Sequence, residues 1–391
     1  ETYFAFAPAG FSSFRASIVP WVKDKLFLKR KIIESLESSL GSSVDWASRL
    51  KFSDHHMSHA ASAFYPSPFK DAVILTMDGV GEWSTASIAV GSENKLEISK
   101  EIKFPHSLGL LYSAFTQYLG FRVNSGEYKL MGLAPYGEPT YAEKIKRHLI
   151  EIFDDGSFRL NMQYFDYCTG LSMINNRFEE LFGGDTRIAE SEITARHANL
   201  AASIQSVLEE VVRKISTHAA KESGFKNLCL AGGVALNCVA NSVIKKEGLF
   251  EHIWVQPAAG DAGGAIGSAL LGWHLMLRQE RNVCFPDGMR GSYLGPTYDE
   301  TQIKALLDQE GALYEKFDDN SLCDRTATYL AAGKSVGWFQ GRMEFGPRAL
   351  GNRSILADPR SDSMQRRLNL QIKFRESFRP FAPSVLEEHA Q

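Results

Sequence analysis

Residues Asp71-Ala-Val-Ile-Leu-Thr-Met-Asp78-Gly79 give the first indication of the fold, because they form a short apolar run that ends in an Asp-Gly turn signal. A run of this length and composition is typical of a buried strand. In the two segments that follow, residues 84–91 and 96–102, apolar and polar residues alternate. Alternation predicts half-buried strands, so we predict an antiparallel meander whose first strand carries Asp78 near its end.

An apolar run followed by a glycine turn recurs later in the chain. Residues 227–231 run into Gly232-Gly233-Val-Ala-Leu-Asn237, and residues 253–256 are followed by Gly260-Asp-Ala-Gly-Gly264. Before them, residues 195–219 are periodic and contain neither Gly nor Pro, which predicts a long helix. Strand, glycine-rich turn and helix in repetition indicate an α/β fold.

A second domain is predicted after residue 283, because several Pro and Gly residues in the segment 286–296 indicate an irregular connection between domains. The chain has 391 residues, more than a single hydrophobic core usually serves. We therefore predict domains over residues 1–283 and 284–391. The elements predicted in the second domain are two helices and a strand, at residues 299–307, 321–332 and 335–339.

Composition indicates a folded protein that acts on small molecules. The chain is 44% apolar and 23% charged, with a net charge of -3, so we expect no nucleic-acid partner and no membrane partner. Its five cysteines form no C-x-x-C pair, which favours free thiols in a reducing cytoplasm. No apolar run reaches the roughly 18 residues that span a bilayer.

Two features near the chain ends lead to further expectations. Residues 17–40 form a basic amphipathic segment, which fits either a membrane-surface helix or a surface helix packed on its own domain. The second interpretation is favoured, since Pro20 interrupts the segment and the rest of the chain is not basic. Because Glu1 is not preceded by an initiator Met and residues 381–386 read as an interrupted strand, both domains are expected to be truncated.

Two imidazoles four residues apart mark a candidate metal site. On a helix, His55 and His59 lie on one face, about 6 Å apart. Two nitrogen ligands leave a divalent ion underligated, and the carboxylates of Asp78 and Asp261, near the ends of predicted strands, are best placed to complete the site. A solvated or helix-capping histidine remains the alternative.

Three glycine turns follow predicted strands, at Gly79, at Gly232-Gly233 and at residues 260–264. Without a Cβ, such turns let backbone N–H groups approach a phosphate closely. Each turn alone is more often a structural tight turn. Together they favour a nucleotide site, because ligands of α/β sheets gather at the carboxyl ends of the strands.

The C-terminal stretch combines basic side chains with glycines. Arg342, Arg348 and Arg353 are interspersed with glycines, and Lys373 and Arg375 follow. Planar guanidinium groups grip the oxygens of a small phosphate-bearing dianion, so a formed anion pocket is predicted. A solvated basic face and an RNA-binding surface are the alternatives.

Six blocks of the sequence together resemble the NodU/CmcH-type O-carbamoyltransferases, a family that includes antibiotic carbamoyltransferases. The blocks are His55-His-Met-Ser-His59-Ala-Ala-Ser-Ala-Phe-Tyr-Pro-Ser-Pro68, Met77-Asp-Gly-Val-Gly-Glu-Trp83, Asn124-Ser-Gly-Glu-Tyr-Lys129-Leu-Met-Gly-Leu-Ala-Pro-Tyr136, Leu230-Ala-Gly-Gly-Val-Ala-Leu-Asn237, Gly260-Asp-Ala-Gly-Gly264 and Gly341-Arg-Met-Glu-Phe-Gly-Pro-Arg-Ala-Leu-Gly351. These blocks are spread over almost the whole chain, and together they are specific for this family.

This resemblance implies a fold and a reaction. It implies an actin/Hsp70-like ATPase-fold domain, similar to threonylcarbamoyltransferases, over residues 1–283 and a YrdC-like α/β domain over residues 284–391. The implied reaction moves a carbamoyl group from carbamoyl phosphate, through an ATP-derived carbamoyl adenylate, to a hydroxyl of a small-molecule acceptor, with Mg²⁺ accompanying ATP. Four residues match iron-binding positions, for Fe(II) or another divalent metal: His55, His59, Asp78 and Asp261.

The resemblance also implies roles for further residues. Those implied for nucleotide binding are Gly79, Lys129, Gly232, Gly233 and Asn237. Those that match the carbamoyl phosphate region are Arg342, Arg348, Arg353, Lys373 and Arg375. Among all of these, Lys129, Arg348 and Arg353 are the implied catalytic residues.

The chain departs from the family pattern at its N-terminus. Family members begin with a strand and a His-Asp-Ser-Ala turn that supplies a catalytic histidine, and this chain begins after it, so transfer activity is expected of the full protein.

A tRNA threonylcarbamoyltransferase-like enzyme is the alternative function, disfavoured by the acidic net charge and the arginine-rich second domain. A non-enzymatic ATP-dependent binding protein of the Hsp70-like fold would need neither His55 nor His59.

Overall fold

The protein has a mixed α/β structure, as the sequence predicts. A computed structural model describes residues 2–41 and 43–389. The chain divides into two compact units, Glu1–Val283 and Cys284–Gln391. Among the described residues, no helix is both long enough and apolar enough to cross a membrane.

The first unit combines seven strands with twelve α-helices in its described part. The strands are β1 (Asp71–Gly81), β2 (Ser84–Ser92), β3 (Lys95–Lys103), β4 (Ile150–Ile152), β5 (Phe158–Leu160), β6 (Asn227–Ala231) and β7 (His252–Val255). The helices are α1 (Thr2–Phe6), α2 (Phe11–Pro20), α3 (Leu28–Leu40), α4 (Trp46–Arg49), α5 (His55–Phe64), α6 (Leu108–Tyr118), α7 (Glu127–Leu133), α8 (Ala142–His148), α9 (Asn176–Phe182), α10 (Ala195–Ser223), α11 (Cys238–Glu247) and α12 (Asp261–Leu271).

Five of these strands form one mixed sheet in the order β3-β2-β1-β6-β7. Strands β1, β2 and β3 are the antiparallel meander that the alternating sequence predicts. Strand β6 runs parallel to β1, with Thr76 paired to Ala231, and β7 runs parallel to β6. The carboxyl ends of β1, β6 and β7 therefore meet at one edge of the sheet, and Asp78 and Gly232 lie at this edge.

Helix α5 packs on the sheet and α12 packs on α5. The buried face of α5 is made largely of Ala60, Ala61 and Ala63, and these small side chains let the helix approach β1 closely. Gly267 of α12 lies so near α5 that a Cβ there would be 1.8 Å from the backbone oxygen of Ser58. The start of α5 and the start of α12 are thereby held beside the carboxyl edge of the sheet.

The N-terminal segment is helical but differs from its predicted packing. Helix α2 is followed by a π-helical turn at Trp21–Lys25 and then by α3. Many of its large apolar side chains are exposed, with Trp21 at 49% and Leu26 at 52%. Its apolar stripe therefore contributes little to the core of the first unit.

The second unit contains helices α13 (Glu300–Gln309), α14 (Asp319–Ala331) and α15 (Met364–Arg367) and strands β8 (Val336–Phe339) and β9 (Arg353–Leu356). Helices α13 and α14 and strand β8 lie where the sequence predicts two helices and a strand. Strand β9 pairs antiparallel with β8, and sequence analysis did not predict it. Arg353 begins this strand, so part of the arginine-rich stretch belongs to a small sheet.

Candidate metal centre and active site

Four potential metal ligands, two imidazoles and two carboxylates, meet at the carboxyl edge of the main sheet. His55 and His59 lie on successive turns of α5, Asp78 lies near the end of β1, and Asp261 is the first residue of α12. One ligand atom from each residue lies within 4.8 Å of the others. The structure thus brings together the four residues that sequence analysis selects for a metal.

The ligand atoms face one another closely. The Nε2 atoms of His55 and His59 are 3.0 Å apart. Oδ2 of Asp78 lies 2.9 Å from the first and 3.1 Å from the second. Oδ1 of Asp261 lies 3.6 and 3.7 Å from the same two nitrogens. A neutral imidazole has a single N–H, so among these two nitrogens and two carboxylate oxygens the lone pairs outnumber the protons. A cation fits such a set of imidazole and carboxylate ligands.

Backbone amides hold the carboxylate of Asp78 in place. Its Oδ1 accepts hydrogen bonds from the amides of Gly79 at 2.8 Å and Gly233 at 3.3 Å, which leaves Oδ2 to face the imidazoles. A Cβ at Gly233 would lie 2.9 Å from this Oδ1, and a Cβ at Gly232 would lie 2.2 Å from the Met77 carbonyl oxygen. Both glycines therefore have a structural role, because they let the turn after β6 approach the end of β1.

The protonation of the site follows from these contacts. Burial opposes the ionised form of Asp78, but hydrogen bonds from His55 and His59 and from the Gly79 amide outweigh it and hold the pKa of Asp78 well below its ordinary value. The hydrogen bond with Asp78 raises the pKa of His55. Asp78 is thus an anion at neutral pH, as a metal ligand must be.

Gly81 makes room for the imidazole of His55. A Cβ at this position would lie 2.1 Å from Cδ2 of His55. Any side chain at residue 81 would therefore displace one of the candidate ligands. The sequence alone does not reveal this requirement, because it depends on the approach of α5 to the end of β1.

The cluster opens into a cleft of about 390 Å³, a size that suits a small molecule. Lys51 and Glu82 line the cleft together with His55, His59 and Asp261. The side chain of His59 is 1% exposed and that of Asp261 is 83% exposed, so the cluster has a buried side and an open side. A ligand in the cleft would meet Asp261 first.

Two residues predicted to bind nucleotide have other contacts. Oδ1 of Asn237 accepts from the Ala240 amide at 3.1 Å, which caps α11, and its Nδ2 donates to Gln205 at 2.9 Å. Lys129 lies on α7, with Nζ 5.7 Å from the centre of the Phe121 ring. These contacts explain local structure, and the nucleotide roles of both residues stay predictions.

Arg353 directs its guanidinium group at the protein backbone. It donates from Nη1 to the carbonyl oxygens of Gln340 at 2.5 Å and Asn352 at 2.8 Å, and from Nη2 to that of Gly341 at 3.0 Å. The guanidinium also lies over the ring of Phe339. This arrangement stabilises the turn between β8 and β9, and it leaves a carbamoyl phosphate contact by Arg353 as a prediction.

The other basic residues of the predicted anion pocket belong to the same unit. Arg342 and Arg375 each donate a hydrogen bond within it, of 3.0 and 2.7 Å respectively. Arg348 and Lys373 are exposed. Of the arginines implied to be catalytic, Arg348 is therefore the more open to a ligand.

A buried polar network that sequence analysis missed adjoins the candidate ligands. Nδ1 of His56 lies 2.8 Å from Oγ1 of Thr76 and 3.2 Å from Oγ of Ser87. Burial lowers the pKa of His56 to about 4, so this imidazole is neutral at physiological pH. The sequence offers one signal for this network. Side chains alternate between the two faces of a strand, so Thr76 of β1 lies on the same face as Asp78.

The mixed sheet, with imidazoles and carboxylates gathered at its carboxyl edge, defines an α/β protein with a candidate metal centre. The chain belongs to the carbamoyltransferase family: residues 1–270 match the family model of the carbamoyltransferase N-terminus, and residues 327–391 match that of the carbamoyltransferase C-terminus. The family resemblance noted in the sequence is therefore confirmed.

Several curated proteins are similar to this chain. The protein sll1178 of Synechocystis sp. is 56% identical over 99% of this chain and 63% of its own length. The nodulation protein NolNO of Sinorhizobium fredii is 41% identical over 91% of this chain and 50% of its own length. The nodulation protein NolO of Bradyrhizobium diazoefficiens is 39% identical over 86% of this chain and 59% of its own length. The chain thus spans about half to two thirds of these relatives.

One solved structure with a weak likeness is HypF from T. kodakarensis. It aligns with a TM-score of 0.34 and 16% identity, over 64% of this chain and 39% of that one. A likeness of this size carries no structural argument.

Proposed function

We propose that the full-length protein is an O-carbamoyltransferase. It moves a carbamoyl group from carbamoyl phosphate, through an ATP-derived carbamoyl adenylate, to a hydroxyl of a small-molecule acceptor. The observation that carries the proposal is the cluster of His55, His59, Asp78 and Asp261 at the sheet edge of a carbamoyltransferase-family chain. The actin/Hsp70-like ATPase fold of residues 1–283 and the YrdC-like fold of residues 284–391 are part of the proposal.

The proposed resident metal is Fe(II) or another first-row divalent ion, since mixed imidazole and carboxylate sites do not select among these ions by affinity alone. His55 and His59 would bind it through Nε2, Asp78 through Oδ2 and Asp261 through Oδ1. A divalent ion at this point supplies a Lewis acid and a template for phosphate or carbamoyl oxygens. Binding of ATP, accompanied by Mg²⁺, is proposed at the glycine turns of the same edge, Gly232-Gly233 and residues 260–264, with Lys129.

The remaining parts of the proposal are the positioning of the ligands and the transfer step. Asp78 is fixed by two amides and cannot turn away, so the geometry of the site is set before a ligand arrives. In the transfer step the acceptor oxygen forms a bond to the carbamoyl carbon. The bond from that carbon to the adenylate phosphate oxygen breaks, AMP leaves, and the hydroxyl proton is released. The cleft in front of Asp261 is the proposed place for this step.

Replacing Arg348 with Ala in the full-length protein is expected to abolish the use of carbamoyl phosphate while ATP binding is kept. The reason is that loss of a guanidinium contact to a dianion costs several kcal/mol only where that dianion sits. The measurement is carbamoyl phosphate-dependent exchange of pyrophosphate into ATP, beside direct ATP binding. We expect the exchange to fall at least about 100-fold, the equivalent of about 3 kcal/mol.

The matched control is Arg360→Ala, which removes another exposed arginine of the same unit, one that forms a salt bridge with Asp358 at 2.7 Å. Exchange in this variant should equal that of the unmodified protein. Loss of ATP affinity in the Arg348 variant would instead move this arginine to the nucleotide site. Exchange that depends on threonine and bicarbonate, together with a shift of tRNA on a gel, would favour the threonylcarbamoyltransferase-like alternative.

A further inference from the structure

The network of His56, Thr76 and Ser87 joins the two elements that carry most of the candidate ligands. His56 follows His55 on α5, and Thr76 precedes Asp78 by two residues on β1. Side chains two residues apart on a strand point to the same face. Helix α5 therefore meets β1 twice, once through His55 and His59 in the cleft and once through His56 in the buried interior.

The network is buried, and this fixes the direction of its central hydrogen bond. His56 is 2% exposed and Thr76 is 0% exposed. Among the described residues, Nε2 of His56 has no hydrogen-bond partner. A proton on Nε2 would be an unpaired buried donor, whereas a proton on Nδ1 has Thr76 and Ser87 as acceptors. The Nδ1–H group of His56 therefore donates to Oγ1 of Thr76 at 2.8 Å.

Much of the remaining contact of α5 with the sheet is apolar. It includes Ala60, Ala61, Ala63 and Phe64, all fully buried. Apolar contact is non-directional, so it restrains the rotation of a helix and its height along a strand through shape alone. A hydrogen bond has a preferred distance and angle and adds a directional restraint on both. His56 supplies such a bond at the residue next to a candidate ligand.

We propose that His56, Thr76 and Ser87 are positioning residues of the metal centre, which set α5 on β1 so that the imidazoles of His55 and His59 meet the Asp78 carboxylate. The inference rests on the metal-binding part of the proposed function. It assigns a purpose to a buried polar group that lies between the candidate ligands and the apolar part of this interface. Without the network, α5 would keep its helix and its burial, but the imidazoles of His55 and His59 would be held less closely to the geometry that binds the metal.

The test is the variant Thr76→Val, which keeps the shape of the side chain and removes its hydroxyl. Co²⁺ is the probe, and its binding is titrated through its visible absorption, with the melting temperature of the metal-free protein measured beside it. We expect the dissociation constant for Co²⁺ to rise about 10-fold, the lower end of the effect of losing a supporting hydrogen bond at a metal site. Thr76→Ser restores a hydroxyl at the same place and should bind Co²⁺ like the unmodified chain.

The matched control is Thr85→Val on β2. Thr85 is 1% exposed and its Oγ1 donates to the carbonyl oxygens of Ile102 and His106, so the change removes an equally buried hydroxyl outside the network. It should lower the melting temperature and leave Co²⁺ affinity unchanged. Equal weakening of Co²⁺ binding by both variants would overturn the inference, as would unchanged binding in Thr76→Val. If the unmodified chain itself binds no Co²⁺, the metal proposal fails, and the positioning role falls with it.

Discussion

An Asp78→Asn variant is expected to bind divalent metal at least about 100-fold more weakly than the unmodified chain. Disturbing a neighbour of a metal ligand costs about 10- to 100-fold in affinity, and here an anionic ligand itself is removed. The amide oxygen of Asn can still accept from the amides of Gly79 and Gly233, which turns its NH₂ group toward the imidazoles. The site then presents hydrogens where a cation would sit.

Metal affinity is measured by competition with a chelator, and the fold is monitored by circular dichroism. Asp71→Asn is the matched control, because it makes the same change at the other end of β1, where the carboxylate accepts from Ser92 at 2.6 Å. This control should bind metal normally. Equal affinities in the two variants would remove Asp78 from the ligand set.

Gly267→Ala is expected to lower the free energy of unfolding of the first unit by about 3 kcal/mol, the upper part of the range for overpacking a core. A Cβ at this position would lie 1.8 Å from the Ser58 backbone oxygen and 2.9 Å from the Ser62 amide nitrogen. Backbone atoms cannot rotate away as a side chain can, so α5 and α12 must separate. Asp261 begins α12, and its distance from the imidazoles of α5 should grow as well.

Gly264→Ala is the control for this experiment, since it makes the same change three residues earlier on the same helix. Within the described part of the chain, a Cβ at Gly264 would meet nothing within 4 Å. The gain in helix propensity should raise the free energy of unfolding by up to about 1 kcal/mol. Urea unfolding followed by circular dichroism measures both variants. A shift of the same sign and size in each would contradict the close packing of α5 on α12.

The main sheet and the ligand quartet followed from local patterns. Alternation predicted β2 and β3, the apolar run predicted β1, and the two glycine turns predicted where β6 and β7 end. Asp78 and Asp261 both lie near the ends of predicted strands, where ligands of α/β sheets gather, so they were expected to complete one site. The spacing of His55 and His59 needed only the geometry of a helix.

The features that sequence analysis missed depend on how elements approach one another. His56 and Thr76 lie 20 residues apart in sequence, and nothing local to either reveals their hydrogen bond. The need for glycine at Gly81 arises only because His55 lies against it. Arg353 carries the same charge as Arg348, and only tertiary structure shows that its guanidinium contacts backbone carbonyls. Residue type and spacing therefore identified the candidate ligands and missed the contacts that position them.

His55 and His59, with the carboxylates of Asp78 and Asp261, are proposed to hold one divalent metal ion. Elemental analysis of the purified chain beside a His55→Ala/His59→Ala variant, each after removal of loosely bound ions, measures this ion. We predict about one first-row divalent ion per unmodified chain, because four ligand atoms converge on one point. We predict almost none in the variant. A variant that retained a stoichiometric ion, or an unmodified chain that bound none when supplied with Fe(II), would contradict the account.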